Sequence, residues 1–207
     1  AKNFNDVAII AAANDVTEFL HKYNQGNGEI DLTFRKKLAE KAFANTSHYD
    51  SAIFNYFNSK NEASEPCLNL HFNNPVTLRY GENPHQRGFY FGNLKDTFEQ
   101  LGGKELSYNN MLDCDSAINL IAEFSNEKGV TAAIIKHNNA CGIATRENAT
   151  DAWQAALAGD PVSAFGGIIV LNQHIDESLA KEINAIFFEV IIAPSFAKEA
   201  VKVFFIF

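Results

Sequence analysis

The chain has 207 residues, of which 46% are hydrophobic and 20% are charged, values typical of a soluble globular protein with a sizeable core. Its net charge of -8 argues against a nucleic-acid groove, because phosphate backbones are bound by basic surfaces. A local pocket for a small phosphorylated molecule is still compatible with this charge. The sequence shows no long apolar span for a membrane and no signal peptide, so we expect neither nucleic acid nor membrane as a partner.

The three cysteines, Cys67, Cys114 and Cys141, are widely spaced and form no CxxC pair, which fits a reducing cytosol. No His/Cys spacing typical of zinc is present, so we predict no metal. The chain opens on Ala1 without Met and closes on the apolar run 201–207, which we interpret as a strand or helix of a longer protein.

In the N-terminal part, the short apolar run 6–12 predicts a buried strand. Asn14 and Asp15 offer an N-cap for a helix that ends near Tyr23, and the run QGNG at 25–28 is a turn cluster.

The next part of the sequence predicts a long helix, a linker and an irregular segment. Asp31 can cap a helix over 33–58, and the polar, turn-rich stretch 60–66 is the best linker candidate. Residues 68–91 contain aromatics, Asn, Pro and Gly without a helical period, which indicates a long loop or a functional segment.

From residue 107 onwards, strands and helices alternate. The predicted strands are 130–135, 167–171 and 190–192. The predicted helices begin after Asn110, at Thr150, at Asp176 and at Ser195, and the first three end at Gly129, Gly159 and about Phe188. This alternation predicts an α/β layer with a partly parallel sheet, in which ligands bind where strands meet the neighbouring loops.

The first candidate site is KHNNACG at 136–142, directly after the strand 130–135. His137 can take a proton near neutral pH, Lys136 can stabilise negative charge on a substrate oxygen, and Gly142 permits a tight backbone approach. Two alternatives stay open: a polar strand end with surface residues, and a thiol nucleophile or core residue at Cys141.

The second candidate lies in the loop 78–86. Arg79 offers a bidentate fork to phosphate, and Tyr80 adds an aromatic surface and a hydroxyl. Gly81 and Pro84 determine the turn, and a loop without a ligand is the alternative.

The third candidate is 160–167, a turn that leads into a strand. Its glycine pair, Gly166 and Gly167, would free backbone N–H groups for an anion or a carbonyl, although the segment matches no standard nucleotide loop. Asn109, Asn110 and Asp113 lie at a helix start, where capping alone would explain them.

Five segments occur in a fixed order: YGENPHQ, GKELSYNNMLDCDSA, KHNNACG, GDPVSAFGG and EVIIAP. This series resembles the bacterial bifunctional purine-biosynthesis proteins, which join AICAR (phosphoribosylaminoimidazolecarboxamide) formyltransferase to IMP cyclohydrolase. The resemblance implies an α/β protein in two parts. Residues 1–66 would be the mainly helical tail of a methylglyoxal-synthase-like cyclohydrolase domain. Residues 67–207 would be the first half of a cytidine-deaminase-like formyltransferase domain without the zinc signature.

The resemblance also implies the site residues. His137 would accept a proton as the AICAR amine attacks the formyl carbon of 10-formyltetrahydrofolate, and Lys136 would stabilise the transition state. Lys2 would serve ring closure in the cyclohydrolase site. The substrate-binding residues implied by the resemblance are Arg79, Tyr80, Asn110, Gly166 and Glu189.

The implied partners are the nucleotides AICAR, FAICAR and IMP and a second copy of the chain, in the cytoplasm. Ala140 replaces the Pro that is usual in the family, which loosens the loop after His137 without removing the catalytic side chains. Whether the isolated chain is active stays open. A non-catalytic module is the alternative, in which Arg79, Tyr80 and Gly166 bind a phosphorylated ligand and Lys136 is only a positioning charge.

Overall fold

A computed structural model of the chain describes residues 1–60, 67–72 and 75–205. The chain separates into two compact units, unit 1 (Ala1–Asn73) and unit 2 (Asn74–Phe207). The predicted linker at 60–66 lies outside the described residues except for Lys60. Among the described helices, none combines the length and the apolar character needed to cross a membrane.

Unit 1 contains two helices, α1 (Asp15–Gln25) and α2 (Leu32–Asn58), which confirm the two predicted there. The Asp31 side chain accepts a hydrogen bond from the Phe34 N–H at 2.9 Å, so the predicted cap of α2 is confirmed. Asn14 occupies the N-cap position of α1 but makes no capping hydrogen bond with its side chain.

The strand predicted for 6–12 is wrong. Residues 7–11 form no regular structure, and Val7 and Ile10 are 47% and 37% exposed. A strand needs a neighbouring strand to satisfy its backbone N–H and C=O groups. Among the described residues of unit 1, no strand is present to supply that partner.

Unit 2 is built around a four-stranded sheet in the order β4-β3-β5-β6. The strands are β3 (Val130–Lys136), β4 (Asn139–Arg146), β5 (Gly167–Leu171) and β6 (Phe188–Ile192). Strand β3 is antiparallel to both of its neighbours, whereas β5 and β6 are parallel. The predicted partly parallel sheet is therefore confirmed, but β4 was not predicted.

Helices cover both faces of this sheet. Helix α3 (Tyr108–Glu123) packs on one face, where its Cys114 and Ala117 meet Ile135 and Ile168. The other face carries the helices α4 (Ala149–Leu157), α5 (Pro161–Ala164), α6 (Glu177–Ile183) and α7 (Lys198–Phe204). Alternate residues of each central strand point to opposite faces, so β3 and β5 are buried on both sides.

Two predicted helix starts are wrong because other side chains supply the cap. Ser107, rather than Asn109 or Asn110, is the N-cap of α3, and its side chain accepts from the Asn110 N–H. Asn148, rather than Thr150, is the N-cap of α4, where it accepts from the Asp151 N–H. In each helix the residue whose oxygen reaches the N3 N–H determines the start.

Three predicted helix ends or starts also differ. Helix α3 ends at Glu123, before Gly129, and α6 ends at Ile183 because the chain enters β6 at Phe188. Helix α7 begins after Ser195, whose backbone carbonyl accepts from the Ile175 N–H.

The irregular character predicted for 68–91 is confirmed for its described residues. Only two short antiparallel strands occur there, β1 (Val76–Thr77) and β2 (Phe89–Tyr90). The loop between them contains Arg79 and Tyr80.

Candidate functional site

The centre of the candidate site is the turn between β3 and β4. Strand β3 begins at the half-buried Val130, continues through five buried residues and ends at the half-buried Lys136. His137 and Asn138 follow with φ of 52° and 62°, a left-handed pair that suits a two-residue hairpin turn. The His137 imidazole is exposed and has no hydrogen-bond partner among the described residues.

Helix α3 holds this turn. The Asn138 N–H donates to Asp113 Oδ1 at 2.8 Å. With its amide nitrogen facing the helix, the Asn138 side chain donates to Ser116 Oγ at 3.0 Å and to the Leu112 carbonyl at 3.1 Å. We assign that orientation because the opposite one points the amide oxygen at acceptors.

Lys136 is held by a different segment. Its Nζ donates to the Phe165 carbonyl at 2.7 Å. Gly166, with φ of 74°, adopts a left-handed conformation there, and its N–H donates to the Phe187 carbonyl at 2.8 Å. The Gly166 N–H is therefore engaged within the chain, and the expectation that it is free for a bound anion is wrong.

The structure brings Asn110 and Glu189 together, although they lie 79 positions apart. Asn110 is 6% exposed and forms a capping box with Ser107, the N-cap of α3. Its Nδ2 also donates to the Glu189 carboxylate on β6. The Asn110 Oδ1 is therefore used in the capping box, and its Nδ2 is used in the contact with Glu189.

Arg79 and Tyr80 lie beside the start of the same helix. The Arg79 N–H donates to the Leu106 carbonyl and the Tyr108 N–H donates to the Tyr80 carbonyl, both at 3.0 Å. The Arg79 guanidinium stacks 4.9 Å from the centre of the Tyr80 ring and donates to its hydroxyl at 3.3 Å. Asn109 Nδ2 adds a bond to the Glu82 carbonyl at 3.0 Å.

Residues 107–116, at the N-terminal end of α3, thus contact three of the predicted segments: the Arg79–Tyr80 loop, the β3–β4 turn and Glu189. Lys2 is not part of this cluster. It lies in a turn of unit 1, where its side chain is exposed and makes no hydrogen bond or ion pair with another described residue.

Comparison with known proteins places this arrangement in a family. The family model described as AICARFT/IMPCHase bienzyme matches residues 1–205. This chain belongs to that family. The resemblance seen in the five ordered segments is therefore confirmed.

Curated relatives of this chain carry the name bifunctional purine biosynthesis protein PurH. The protein of Bacteroides thetaiotaomicron is 49% identical over 203 residues, which cover 98% of this chain and 39% of the relative. The protein of Microcystis aeruginosa is 45% identical, covering 97% of this chain and 40% of the relative. That of Bradyrhizobium diazoefficiens is 42% identical, with shares of 98% and 39%. The chain thus spans about two fifths of the length of these relatives.

The thiols of Cys141 and Cys114 are poorly suited to nucleophilic catalysis. Burial raises the pKa of the half-buried Cys141, the Asp160 carboxylate raises it further, and Lys136 only partly opposes these effects. Burial also raises the pKa of Cys114 to about 12. Because the thiolate is the reactive form, these shifts argue against the thiol alternative at Cys141.

The close backbone approach predicted at Gly142 is confirmed, and the backbone that approaches belongs to helix α4. A Cβ at this position would lie 1.9 Å from the Ala156 carbonyl oxygen of α4. Any side chain there would displace α4 from the sheet. Gly142 therefore serves the packing of β4 behind the turn.

Asp160 is a carboxylate whose charge interacts with Lys136. Asp160 caps α5, and hydrogen bonds from the Ser163 side chain and backbone lower the pKa of its carboxyl group, with a small contribution from Lys136. In the described part of the chain, no group of three or more His, Cys, Asp or Glu residues is placed to hold a metal ion.

Three features of the site were not predicted: the hairpin formed by β3 and β4, the Phe165 carbonyl as a partner of Lys136, and Asp113 as a partner of the turn. Asn138, directly after the polar pair that ends the apolar run of β3, is a recognisable turn signal, since Asn tolerates left-handed φ. The other two features depend on residues more than twenty positions away in sequence, and no local pattern indicates them.

Proposed function

We propose that the chain is part of a purine-biosynthesis enzyme that transfers a formyl group from 10-formyltetrahydrofolate to AICAR, giving FAICAR, and then closes the ring to IMP. The observation that carries this proposal is the β3–β4 turn. It presents an exposed His137 imidazole without a hydrogen-bond partner in the described chain, directly after a Lys136 that is held by the Phe165 carbonyl. Membership of the bienzyme family and the names of the relatives support the same reaction.

In the proposed reaction, the AICAR amine attacks the formyl carbon and a C–N bond forms. This amine is conjugated to its ring and is a weak nucleophile, so its proton must leave as attack proceeds. His137 accepts that proton, because its imidazole is exposed and has no hydrogen-bond partner in the described chain, and returns a proton to the folate nitrogen as the bond from that nitrogen to the formyl carbon breaks.

Lys136 stabilises the negative charge that develops on the formyl oxygen. An ammonium group has three N–H donors, and the Phe165 carbonyl engages one of them at 2.7 Å. Two donors remain for the substrate oxygen. The bond to Phe165 also limits the rotamers of the lysine, so that less motion must be lost when substrate binds.

We further propose that Arg79, Tyr80, Asn110, Gly166 and Glu189 form the AICAR site. Arg79 is exposed and suits the phosphate, because a guanidinium can bind two phosphate oxygens at once. Glu189 suits a donor group of the base. The contacts of the Arg79–Tyr80 loop and of Glu189 with the start of α3 support a single site, whereas scattered surface positions would have argued for separate roles.

For the architecture, we propose that residues 1–66 are the C-terminal part of a methylglyoxal-synthase-like cyclohydrolase domain, in which Lys2 serves ring closure. Residues 67–207 would be the first half of a cytidine-deaminase-like formyltransferase domain. The mixed sheet of unit 2 with helices on both faces is compatible with the second assignment. We also propose a cytoplasmic homodimer that needs no metal, and light scattering that shows only monomer would contradict the dimer.

The proposed reaction is tested by His137→Ala in a full-length bifunctional protein that carries residues 1–207. We expect formyl transfer to fall by about 10²- to 10⁴-fold, the usual contribution of a positioned general base, while ring closure is unchanged. His174→Ala removes another exposed histidine of unit 2 and should change neither activity. Formyl transfer that persists in His137→Ala would rule out this role, and AICAR binding without turnover in the unsubstituted protein would favour the non-catalytic module.

The cyclohydrolase assignment is tested separately with Lys2→Ala in the same protein. Ring closure of FAICAR should be lost while formyl transfer persists. If Lys2→Ala and His137→Ala lower both activities equally, the assignment of ring closure to Lys2 and of formyl transfer to His137 is wrong.

A further inference from the structure

The β3–β4 turn adopts a backbone conformation that needs support. His137 and Asn138 are consecutive residues with φ of 52° and 62°. Positive φ is uncommon for residues other than glycine, although Asn and His adopt it more often than most. Ala140 follows closely, so no proline stiffens this part of β4. The β3–β4 hairpin favours this conformation, and bonds from the rest of the protein would stabilise it further.

Those bonds come from Asp113, in the second turn of α3. Its Oδ1 accepts the Asn138 backbone N–H at 2.8 Å and, with the Asn138 amide nitrogen facing the helix, the side-chain N–H at 3.2 Å. Asp113 makes no ion pair among the described residues. The hydrogen bonds of its carboxylate within the described chain are thus all directed to the residue that follows His137.

Helix α3 is itself held firmly. Cys114, next to Asp113, is 2% exposed, and Ala117 is fully buried against the sheet. The capping box of Ser107 and Asn110 closes the helix start, and Asn110 also bonds Glu189. An acceptor placed on this helix therefore has little freedom to move with the turn.

We propose that Asp113 is a positioning residue, which holds the His137–Asn138 turn in its left-handed conformation and so determines where the His137 imidazole points. Asp113 acts through the Asn138 backbone and does not touch substrate. The proposal rests on the catalytic role proposed above for His137, but the effect of Asp113 on the turn can be measured without any catalysis.

The test compares three variants. Asp113→Ala removes the acceptor, whereas Asp113→Asn keeps an oxygen that can accept the Asn138 N–H. Asp115→Ala is the matched control, because Asp115 carries the same charge on the same helix, is exposed and makes no hydrogen bond or ion pair within the described residues. All three are placed in the full-length protein, both for kinetics and for hydrogen exchange.

In the kinetic experiment, Asp113→Ala should lower kcat for formyl transfer by roughly 10- to 100-fold, because a displacement of about 1 Å in a catalytic group can cost that much. The KM for AICAR should change little. Asp113→Asn should recover most of the lost kcat, and Asp115→Ala should behave as the unsubstituted protein. A kcat unaffected by Asp113→Ala, or equally low in Asp113→Asn, would overturn the proposal.

In the exchange experiment, the Asn138 amide should exchange faster in Asp113→Ala than in Asp115→Ala, because its acceptor has been removed. Thermal unfolding of the variants checks that the difference is local. If the unsubstituted protein shows no formyl transfer, the proposed function fails, while faster exchange at Asn138 still supports the positioning role. Unchanged exchange at Asn138 would overturn it whatever the activity.

Discussion

Unit 1 and unit 2 use their apolar residues in different ways. In unit 1, the buried residues of the 27-residue helix α2 lie in its first 20 positions, and Tyr56 and Phe57 near its end are 56% and 66% exposed. In unit 2, all five residues of β5 are buried, because helices cover both faces of the sheet. A side chain at the end of a strand in unit 2 therefore starts from a packed backbone.

The contrast between Lys2 and Lys136 shows what this difference means for a site. Lys2 is exposed in a turn without a described partner, whereas Lys136 ends a buried strand and bonds the Phe165 carbonyl. A catalytic side chain must be held within a fraction of an ångström, and packed elements provide that precision. Among the described residues, Lys136 is therefore held in place and Lys2 is not.

The largest effect on stability should come from the core of unit 2. Ile169→Ala should lower the free energy of unfolding of unit 2 by about 2–5 kcal/mol, because Ile169 is fully buried between sheet and helices. Urea unfolding can be followed by the fluorescence of Trp153, which is the chain's one tryptophan and is 1% exposed in the same cluster.

The control for this experiment is Val162→Ala, since Val162 is 86% exposed. Val162→Ala should change the free energy of unfolding by less than about 0.5 kcal/mol. Similar losses in both variants would show that unit 2 lacks the close-packed core described above.

An intermediate effect is expected from the cysteines, which distinguish the units by reactivity. Exposed Cys67 in unit 1 should be alkylated quickly at mildly alkaline pH, whereas Cys114 in unit 2 should react only on unfolding. Mass spectrometry of peptides after timed labelling measures both rates. Labelling of native Cys114 as fast as that of Cys67 would contradict its burial.

The thiol of Cys114 also affects the stability of the protein at high pH. Burial raises the pKa of Cys114 from 9.0 to about 12, so the folded state keeps a proton that the unfolded state loses. This contribution to stability is complete below pH 9.0 and is lost as the pH rises toward about 12. Cys114→Ala should therefore show a shallower fall in stability over that range than the unsubstituted chain.

The smallest effect should come from the cap of α2 in unit 1. Asp31→Ala should lower the free energy of unfolding by about 1 kcal/mol, because the Phe34 N–H loses its acceptor. Far-UV circular dichroism during urea titration measures this loss of helix. Asp50→Ala, at an exposed position of α2 without a described partner, is the control, and an equal loss there would show that charge rather than capping matters.

Much of the local structure could be predicted because its causes are local. The predicted caps Asp31 and Asp176 bond N–H groups three residues ahead, and the apolar runs of β3, β5 and β6 are visible in a few consecutive letters. The predicted strand at 6–12 was wrong for the opposite reason. Its apolar residues satisfy the pattern, but a strand also requires a partner that no local pattern supplies.

The candidate site divides in the same way. The five ordered segments identified the family and indicated which residue types could carry the chemistry, since each segment is short and continuous. They could not indicate that Gly166 uses its N–H within the chain or that Asp113 bonds the turn beside His137, because those bonds join separate segments.

The sequence by itself thus determined the caps at Asp31 and Asp176, the strands β3, β5 and β6 and the family of this chain, all of which depend on neighbouring residues. Only the tertiary structure decided that the Arg79–Tyr80 loop, the β3–β4 turn and Glu189 all contact the N-terminal end of α3. The pairing of Asn110 with Glu189 across 79 positions illustrates the reason. Contacts of that kind depend on the order of the strands in the sheet and on the face against which each helix packs, and both involve residues far apart in sequence.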